Sequence, residues 1–256
     1  MSELLDDLVA EQNYLDEAVR DTPEERWNAP SPAGGWLMRD CIAHLAEMDE
    51  MAAEIAELGA YPERERREGD GVVTARQLDG RAMSIPELLN WWRECRARMD
   101  TALRPLDMRD RLPWAGNTMS VRSFATARLM EAWSHGLDAL DAAGVEPVDS
   151  DRLQNIAHIG YATREFAYRN RGLEPNTESL RVEVAAPSGA SWEWGPADST
   201  NRVTGTAGDF CRVVTQRISY LDTALEYTAG AAEEFLQVAQ AFAGPPGEGR
   251  PPQSER

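Results

Sequence analysis

The stretch EAWSHGLDALDAAG, residues 131–144, predicts the second half of a long helix that carries a glutamate and a histidine on one face. The helical pattern runs from about residue 119 to 143 and stops at Gly144, a residue typical of helix C-termini. Glu131 and His135 are four residues apart, so their side chains lie one above the other. This spacing allows both side chains to reach one ion, but the same pairing is also common on solvated helices.

A helical wheel of this segment places the pair on a mixed face. Glu131 and His135 share their stripe with Phe124 and Ala142, and Arg128 lies close by. The most polar stripe holds Ser123, Ser134, Asp138 and Asp141. The wheel therefore does not decide between a buried site and a solvated face.

A second histidine, His44, lies in a helical pattern that runs from residue 36 to about 58. Its neighbours on the apolar stripe are Leu37, Cys41, Leu45, Met48, Met51 and Ile55. A buried imidazole needs a hydrogen-bond partner or a metal, and Asp40, one turn earlier, is one candidate partner. His44, Glu131 and His135 together supply two imidazoles and one carboxylate, the ligand set of an open catalytic zinc site. The same set also suits nickel and iron.

The first half of the chain predicts a four-helix bundle. Helical stripes run through residues 3–20 and 36–58, through a third segment that begins after the capping pattern at Ser84, and through 119–143. Glutamates 47, 50, 54 and 57 gather on what the pattern indicates is a solvated face, and residues 59–82 are predicted to be a connection.

The second half predicts a smaller α+β domain. A helix over about 151–170 precedes a β-hairpin (179–186 and 190–195) and a further strand in NRVTG. Two more helices are predicted at roughly 207–217 and 230–242. The expected domains are therefore 1–148 and 149–244, followed by a disordered Pro/Gly-rich tail at 245–256.

Composition excludes several classes of function. The net charge is −18, and the short run ERERR at 63–67 is the one basic cluster, so we expect neither nucleic acid nor a membrane surface as partner. The chain contains no lysine, which excludes Schiff-base chemistry. Its three cysteines show no C-x-x-C spacing. No signal peptide is evident, so the expected location is the cytoplasm.

Two segments carry a resemblance to a known family. GGWLMRDCIAHLAEMDE (34–50) and the 131–144 stretch resemble the metal-site segments of the DinB-like superfamily, and more closely those of the mycothiol-dependent maleylpyruvate isomerase family. The resemblance implies a DinB-like bundle in which His44, Glu131 and His135 bind a divalent metal, usually zinc.

The resemblance extends to VTGTAGDFCRVVTQR (203–217), which is similar to the SCP2-like C-terminal domain of those enzymes. It implies that Arg217 contributes to the active site. A helical stripe shared with Phe210, Val213 and Val214 would let this arginine emerge from a packed face to bind a carboxylate. The alternative is an ordinary salt bridge.

The function that the resemblance implies is a metal-dependent isomerase or thiol transferase. Mycothiol, as the thiol cosubstrate, would add to an electrophilic small molecule. The lysine-free composition agrees with a GC-rich, actinobacterial source. Two alternatives remain open: a thiol-independent metal-dependent hydrolase, lyase or cyclase, and a metal-stabilised binding module for small molecules.

Overall fold

Long amphipathic helices make up most of the first half of the chain. The computed structural model describes residues 2–63, 68–114 and 117–255, and the chain divides into two units between Pro147 and Val148. The helices of the first unit are α1 (Ser2–Val19), α2 (Glu24–Trp27), α3 (Met38–Leu58), α4 (Ala75–Ala82), α5 (Ile85–Leu103) and α6 (Val121–Ala143). Helix α3 packs against α4, α5 and α6, and α1 packs against α6. The predicted helical bundle is confirmed.

The bundle core consists of the apolar stripes that the sequence predicts. Leu4, Leu8, Leu15 and Val19 of α1 are all buried. Burying each such side chain contributes about 1.5–3 kcal/mol, so a stripe of this kind fixes which face of a helix turns inward. Gly144 adopts the left-handed conformation (φ 74°) that ends α6, as its position in the sequence predicts.

The acidic face of α3 is solvated only at its far end: Glu57 is exposed as predicted, whereas Glu47 is buried and Glu50 and Glu54 are half-buried. Glu47 is buried and accepts a hydrogen bond from the Thr74 hydroxyl at 2.6 Å, and Glu50 is paired with Arg76 at 2.8 Å. Further along, Glu57 accepts from Arg98 Nε at 2.9 Å. Thr74, at the N-cap of α4, and Arg76 of α4 supply the hydroxyl and the cation that compensate Glu47 and Glu50 for desolvation.

Residues 59–82 contain a helix where a plain connection was predicted. Thr74 caps α4, because its hydroxyl accepts from the backbone of Gln77 while the Gln77 side chain accepts from the backbone of Thr74. Gly80 lets α4 lie close to α3, since a Cβ there would sit 2.7 Å from the Cβ of Ala43. Of the predicted basic run at 63–67, residues 64–67 lie outside the described part of the chain.

Two short paired strands that the sequence did not predict precede α6. Strands β1 (Arg111–Trp114) and β2 (Asn117–Ser120) pair antiparallel, with Arg111 opposite Ser120. Helix α6 then begins at Val121, with the Ser120 hydroxyl accepting from the backbone of Ser123. Four-residue strands give too few alternations to stand out from a loop.

The second unit is built on a four-stranded sheet. Its elements are α7 (Leu153–Ala162), α8 (Arg164–Asn170), β3 (Leu180–Ala185), β4 (Ser191–Trp194), β5 (Asn201–Thr206), α9 (Ala207–Val214), β6 (Glu226–Tyr227) and α10 (Ala231–Val238). The strand order is β4-β3-β5-β6, and β3 pairs antiparallel with β4 and parallel with β5. The predicted hairpin and the α+β class are confirmed.

Helix lengths in this unit differ from the predictions. The helix predicted over 151–170 is divided at Thr163, whose hydroxyl donates to the carbonyl of Ile159 at 2.8 Å. Helices α9 and α10 end at Val214 and Val238, earlier than predicted. The disorder expected at 245–256 stays a prediction. Among the described residues, no helix is long and apolar enough to cross a membrane.

Candidate metal centre

The structure brings together the three side chains that the sequence singles out in the bundle. His44 projects from the middle of α3, and Glu131 and His135 project from the middle of α6. The Oε2 atom of Glu131 is 3.3 Å from His44 Nε2 and 3.4 Å from His135 Nε2. One ligand atom from each residue lies within 4.8 Å of the other two. A single carboxylate oxygen thus lies close to both ring nitrogens.

These separations fit a divalent metal of the zinc type. Metal–ligand bonds of about 2.0–2.1 Å in tetrahedral geometry put neighbouring ligand atoms about 3.3 Å apart. The distances from Glu131 Oε2 to the Nε2 atoms of His44 and His135 match that separation. The side chains are 15–22% exposed, so the cluster is sheltered and still accessible from solvent. Two imidazoles and one carboxylate leave room for a further ligand.

The charge states favoured by the protein suit metal binding. Burial, followed by the nearby charge of His135, lowers the pKa of His44 to about 4, so this imidazole is neutral at neutral pH. Burial raises the pKa of Glu131, but hydrogen bonds to His135 and His44 outweigh it and hold the pKa well below its ordinary value. A neutral imidazole and an ionised carboxylate are the forms that bind metals.

Asp138 is a site residue that the sequence reading missed. Its Oδ2 lies 3.3 Å from His135 Nδ1, and its side chain is 1% exposed. The wheel assigned Asp138 to the most polar stripe of the helix, but the structure buries it. A carboxylate at Nδ1 keeps the ring proton there and leaves the Nε2 lone pair facing the cluster. The signal in the sequence was the i, i+3 spacing from the histidine.

The alternative partner suggested for His44 is engaged elsewhere. Asp40 accepts two hydrogen bonds from Arg81, at 2.9 and 2.7 Å, and one from the backbone of Leu37 at 2.8 Å. It therefore ties the first turn of α3 to α4. The partner of His44 is Glu131.

A buried ion pair lies behind the cluster. Arg128, three residues before Glu131, donates from Nε and Nη2 to Asp49 Oδ1 at 3.2 and 3.1 Å. Asp49 also accepts from Gln12 Nε2 at 2.9 Å and from Trp92 Nε1 at 3.3 Å. Helices α1, α3, α5 and α6 thus meet at one carboxylate, which holds the two ligand-bearing helices in register.

The remaining histidine and the predicted arginine lie in the second unit. His158 is exposed, and its Nδ1 accepts from Trp194 Nε1 at 3.1 Å. Arg217 lies beyond the end of α9 and donates from Nη1 to the carbonyl of Thr215 at 2.7 Å. The helical stripe predicted for it is wrong, because Gln216 takes a positive φ of 59° and breaks the helical course. The role of Arg217 stays a prediction.

The cysteines are poor candidates for a nucleophile. All three are buried. Burial, reinforced by the charge of Glu50, raises the pKa of Cys95 to about 12. Burial, with a contribution from Asp149, raises the pKa of Cys211 well above its ordinary value. Neither thiol is ionised at neutral pH, so neither supplies a reactive thiolate.

Comparison with known proteins gives two family matches. Residues 8–140 match the model described as the mycothiol maleylpyruvate isomerase N-terminal domain. Residues 176–226 match a model described as wyosine base formation.

Relatives and solved structures extend the comparison to nearly the whole chain. Two uncharacterised proteins, from two strains of Mycobacterium tuberculosis, are each 42% identical over 255 residues, covering 95% of this chain and 96% of theirs. A crystal structure of a mycothiol-dependent maleylpyruvate isomerase is similar in fold, with a TM-score of 0.61 at 16% identity over 90% of this chain and 93% of that one. A mutant of that enzyme gives 0.58 at 17% identity, over 84% and 89%. The family suggested by the 34–50 and 131–144 segments is confirmed: the chain belongs to the mycothiol maleylpyruvate isomerase N-terminal domain family.

Proposed function

We propose that this protein is a metal-dependent enzyme that uses mycothiol to modify an electrophilic small molecule, as an isomerase or a thiol transferase. His44, Glu131 and His135 are the proposed ligands, and zinc is the proposed metal. The main support for the proposal is the position of Glu131 Oε2, which lies 3.3 Å from His44 Nε2 and 3.4 Å from His135 Nε2. Neighbouring ligands of one metal ion have such separations, and the chain belongs to the family described above.

Each residue of the cluster has a definite task in this proposal. A bound divalent metal supplies Lewis acidity, which lowers the pKa of a thiol or water to near neutrality. Glu131 contributes the negative charge that retains a cation. Asp138 holds the proton on His135 Nδ1, so that its Nε2 stays available.

The sulfur nucleophile would come from the cosubstrate, because the chain's own thiols are buried. In the isomerase version, the thiolate of mycothiol would form a carbon–sulfur bond with one carbon of a double bond, while the π bond breaks and its electron pair moves onto an adjoining electron-withdrawing group such as a carbonyl. Rotation about the resulting single bond and cleavage of the same carbon–sulfur bond then restore the double bond and release the thiolate. In the transferase version, the carbon–sulfur bond is kept: after addition the adjoining carbanion takes a proton from water, and after substitution a leaving group such as chloride departs with the electron pair of its bond to carbon. Neither version needs an oxidant or a reductant.

The second unit has a proposed role as well. We assign residues 149–244 to an SCP2-like domain and Arg217 to the binding of an anionic group on substrate or thiol. The fold similarity over 90% of the chain to a mycothiol-dependent maleylpyruvate isomerase supports the assignment. A cytoplasmic location, where low-molecular-weight thiols are kept reduced, is part of the same proposal.

Elemental analysis of protein purified without added metal is the first test. We expect close to one zinc per chain, retained in His158→Ala and lost in His44→Ala and His135→Ala, with helical circular dichroism unchanged. His158→Ala is the matched control because it removes the exposed histidine of the second unit. No metal in the wild type, or metal unaffected by either ligand substitution, would refute the proposed centre.

Thiol dependence separates the proposal from its alternatives. The metal-loaded protein should accelerate consumption of mycothiol by an added electrophile such as monochlorobimane, and His44→Ala should not. Turnover of electrophile without thiol would favour a hydrolase or lyase. Unfolding on chelation, with no catalysis of either kind, would favour a metal-stabilised binding module.

A further inference from the structure

Trp36 lies against both imidazoles of the candidate metal centre. Its ring centroid is 5.1 Å from that of His44, at 50°, and 5.2 Å from that of His135, at a near-parallel 22°. The two imidazoles are 4.6 Å apart and meet edge to face. Aromatic groups at these separations attract each other beyond the effect of burying area. The indole therefore restricts the rotation of both rings.

The two imidazoles differ in what else holds them. His135 has a carboxylate oxygen close to each ring nitrogen: Glu131 Oε2 lies 3.4 Å from Nε2, and Asp138 Oδ2 lies 3.3 Å from Nδ1. His44 is linked to Glu131 through Nε2, and within the described ranges no other residue forms a hydrogen bond with its ring. Of the carboxylates one turn away on its own helix, Asp40 is committed to Arg81 and to the backbone, and Glu47 accepts from Thr74. The orientation of His44 thus depends on packing.

Trp36 is itself firmly placed. Its Nε1 donates to the carbonyl of Val72 at 3.2 Å, and its backbone carbonyl accepts from Ser31 at 2.8 Å. The Val72 turn is in turn fixed by Asp70, whose Oδ1 accepts from the backbone nitrogens of Val72 and Val73 at 2.9 Å each. Rotation of the indole would break its hydrogen bond to Val72, and the backbone of Trp36 is held by Ser31.

Gly35 allows this close arrangement. It adopts a positive φ of 80°, and a Cβ there would lie 2.6 Å from Val72 Cγ1. The chain before α3 can therefore pass close to the Val72 turn only with glycine at this position.

We propose that Trp36 is a positioning residue for the metal ligands, and that it fixes the His44 ring by packing, whereas the Asp138 carboxylate beside Nδ1 orients the His135 ring by its charge. Metal-ligating histidines usually have an outer partner that sets the direction of the ring. Among the residues that the structure describes, Trp36 packs against the His44 ring and would set its direction by contact instead of by a hydrogen bond. The inference rests on the proposed metal centre and adds a residue outside the ligand set.

The test is a Co²⁺ titration of chelator-treated protein, with the visible absorption of bound Co²⁺ as the readout of ligand geometry. Trp36→Phe retains an aromatic ring and loses the bond to Val72, whereas Trp36→Leu retains only apolar bulk. We expect Trp36→Leu to weaken Co²⁺ binding about tenfold or more and to change the absorption bands. We expect Trp36→Phe to keep the bands and to bind within about threefold of the wild type.

Trp91→Leu is the matched control. Trp91 is another half-buried indole of the first unit, and it packs against Arg76, whose Cζ lies 4.7 Å from the ring centroid. Its loss should leave Co²⁺ affinity and spectrum unchanged even if the protein becomes less stable.

Each outcome has a separate meaning. Wild-type affinity and spectrum in Trp36→Leu would overturn the role of Trp36 and leave the metal centre standing. Equal loss in Trp36→Leu, Trp36→Phe and Trp91→Leu, or loss that follows unfolding by circular dichroism, would also overturn it, because the indole would then be merely structural. Failure of the wild type to bind Co²⁺ would refute the metal centre itself, and the positioning role with it.

Discussion

Replacing Arg128 by methionine should destabilise the bundle by several kilocalories per mole. The substitution keeps apolar bulk but removes the cation from Asp49, whose side chain is 1% exposed. The carboxylate would retain only the neutral donors Gln12 and Trp92 among the groups that now bind it. Breaking a buried ion pair on one side costs about 3–5 kcal/mol. For a unit of roughly this size, that corresponds to a fall in Tm of about 6–20 °C.

The penalty should also depend on pH. Burial raises the pKa of Asp49, and Arg128 is the strongest influence that opposes the rise. Without Arg128 the pKa of Asp49 in the folded state rises further. At pH values between the unfolded-state pKa and this folded-state pKa, Asp49 is protonated in the folded variant and ionised in the unfolded chain. A group with a raised folded pKa loses stabilising effect as pH rises through that pKa. The Arg128→Met penalty should therefore be larger at pH 8 than at pH 5.

Urea unfolding of the metal-free protein, followed by circular dichroism at both pH values, measures the effect. Arg122→Met is the control, because Arg122 is exposed on the same helix and its loss should change stability by less than about 0.5 kcal/mol. Asp49→Asn should lower the free energy of unfolding less in the Arg128→Met variant than in the wild type. In that variant the substitution removes a carboxylate charge that has already lost its cation. A penalty below 1 kcal/mol for Arg128→Met, or one that does not vary with pH, would refute this reasoning.

Three further predictions concern other parts of the molecule. Asp138→Asn should weaken zinc affinity about 10–100-fold in a chelator competition, whereas Asp141→Asn, exposed on the same helix, should not. Gly160→Ala should destabilise the second unit by about 1–3 kcal/mol in urea. The new Cβ would lie 2.6 Å from Val214 Cγ2, and Val214→Ala should relieve the strain. Ellman's reagent should label none of the three buried cysteines at pH 8 and all of them in guanidinium; rapid labelling of the folded protein would contradict their burial.

Helical periodicity and ligand chemistry carried most of the prediction for the first unit. The apolar stripes of α1, α3 and α5 predict which face of each helix is buried. The i, i+4 spacing of Glu131 and His135 predicts that the two side chains lie close together, as they do in the structure. Apolar periodicity and the spacing of two residues on one helix can both be seen in a single sequence, because neither depends on contacts with distant parts of the chain.

The errors concern residues whose environment is set by distant parts of the chain. Asp138 looks like a surface aspartate until His135 and the packing around α6 are known. In the sequence Glu47 looks solvated, because its hydrogen-bond partner, the Thr74 hydroxyl, belongs to a segment 27 residues away. The end of α9 before Arg217 depends on one left-handed residue, Gln216, which propensity does not foretell. Tertiary contacts override pattern at each of these positions.

The spacing of four polar residues on the inward side of α6 limits how the family can vary. Arg128, Glu131, His135 and Asp138 follow one another at intervals of three, four and three, which places them within about 80° of arc on a single helix. Inserting or deleting one residue among them would turn all that follow by about 100° and separate the ion pair from the ligands and the ligands from each other. A point substitution changes one of these contacts at a time, whereas a change of length here would disrupt the ion pair and the ligand set together. We therefore expect natural variants to differ in residue identity across 128–138 and to keep its length constant.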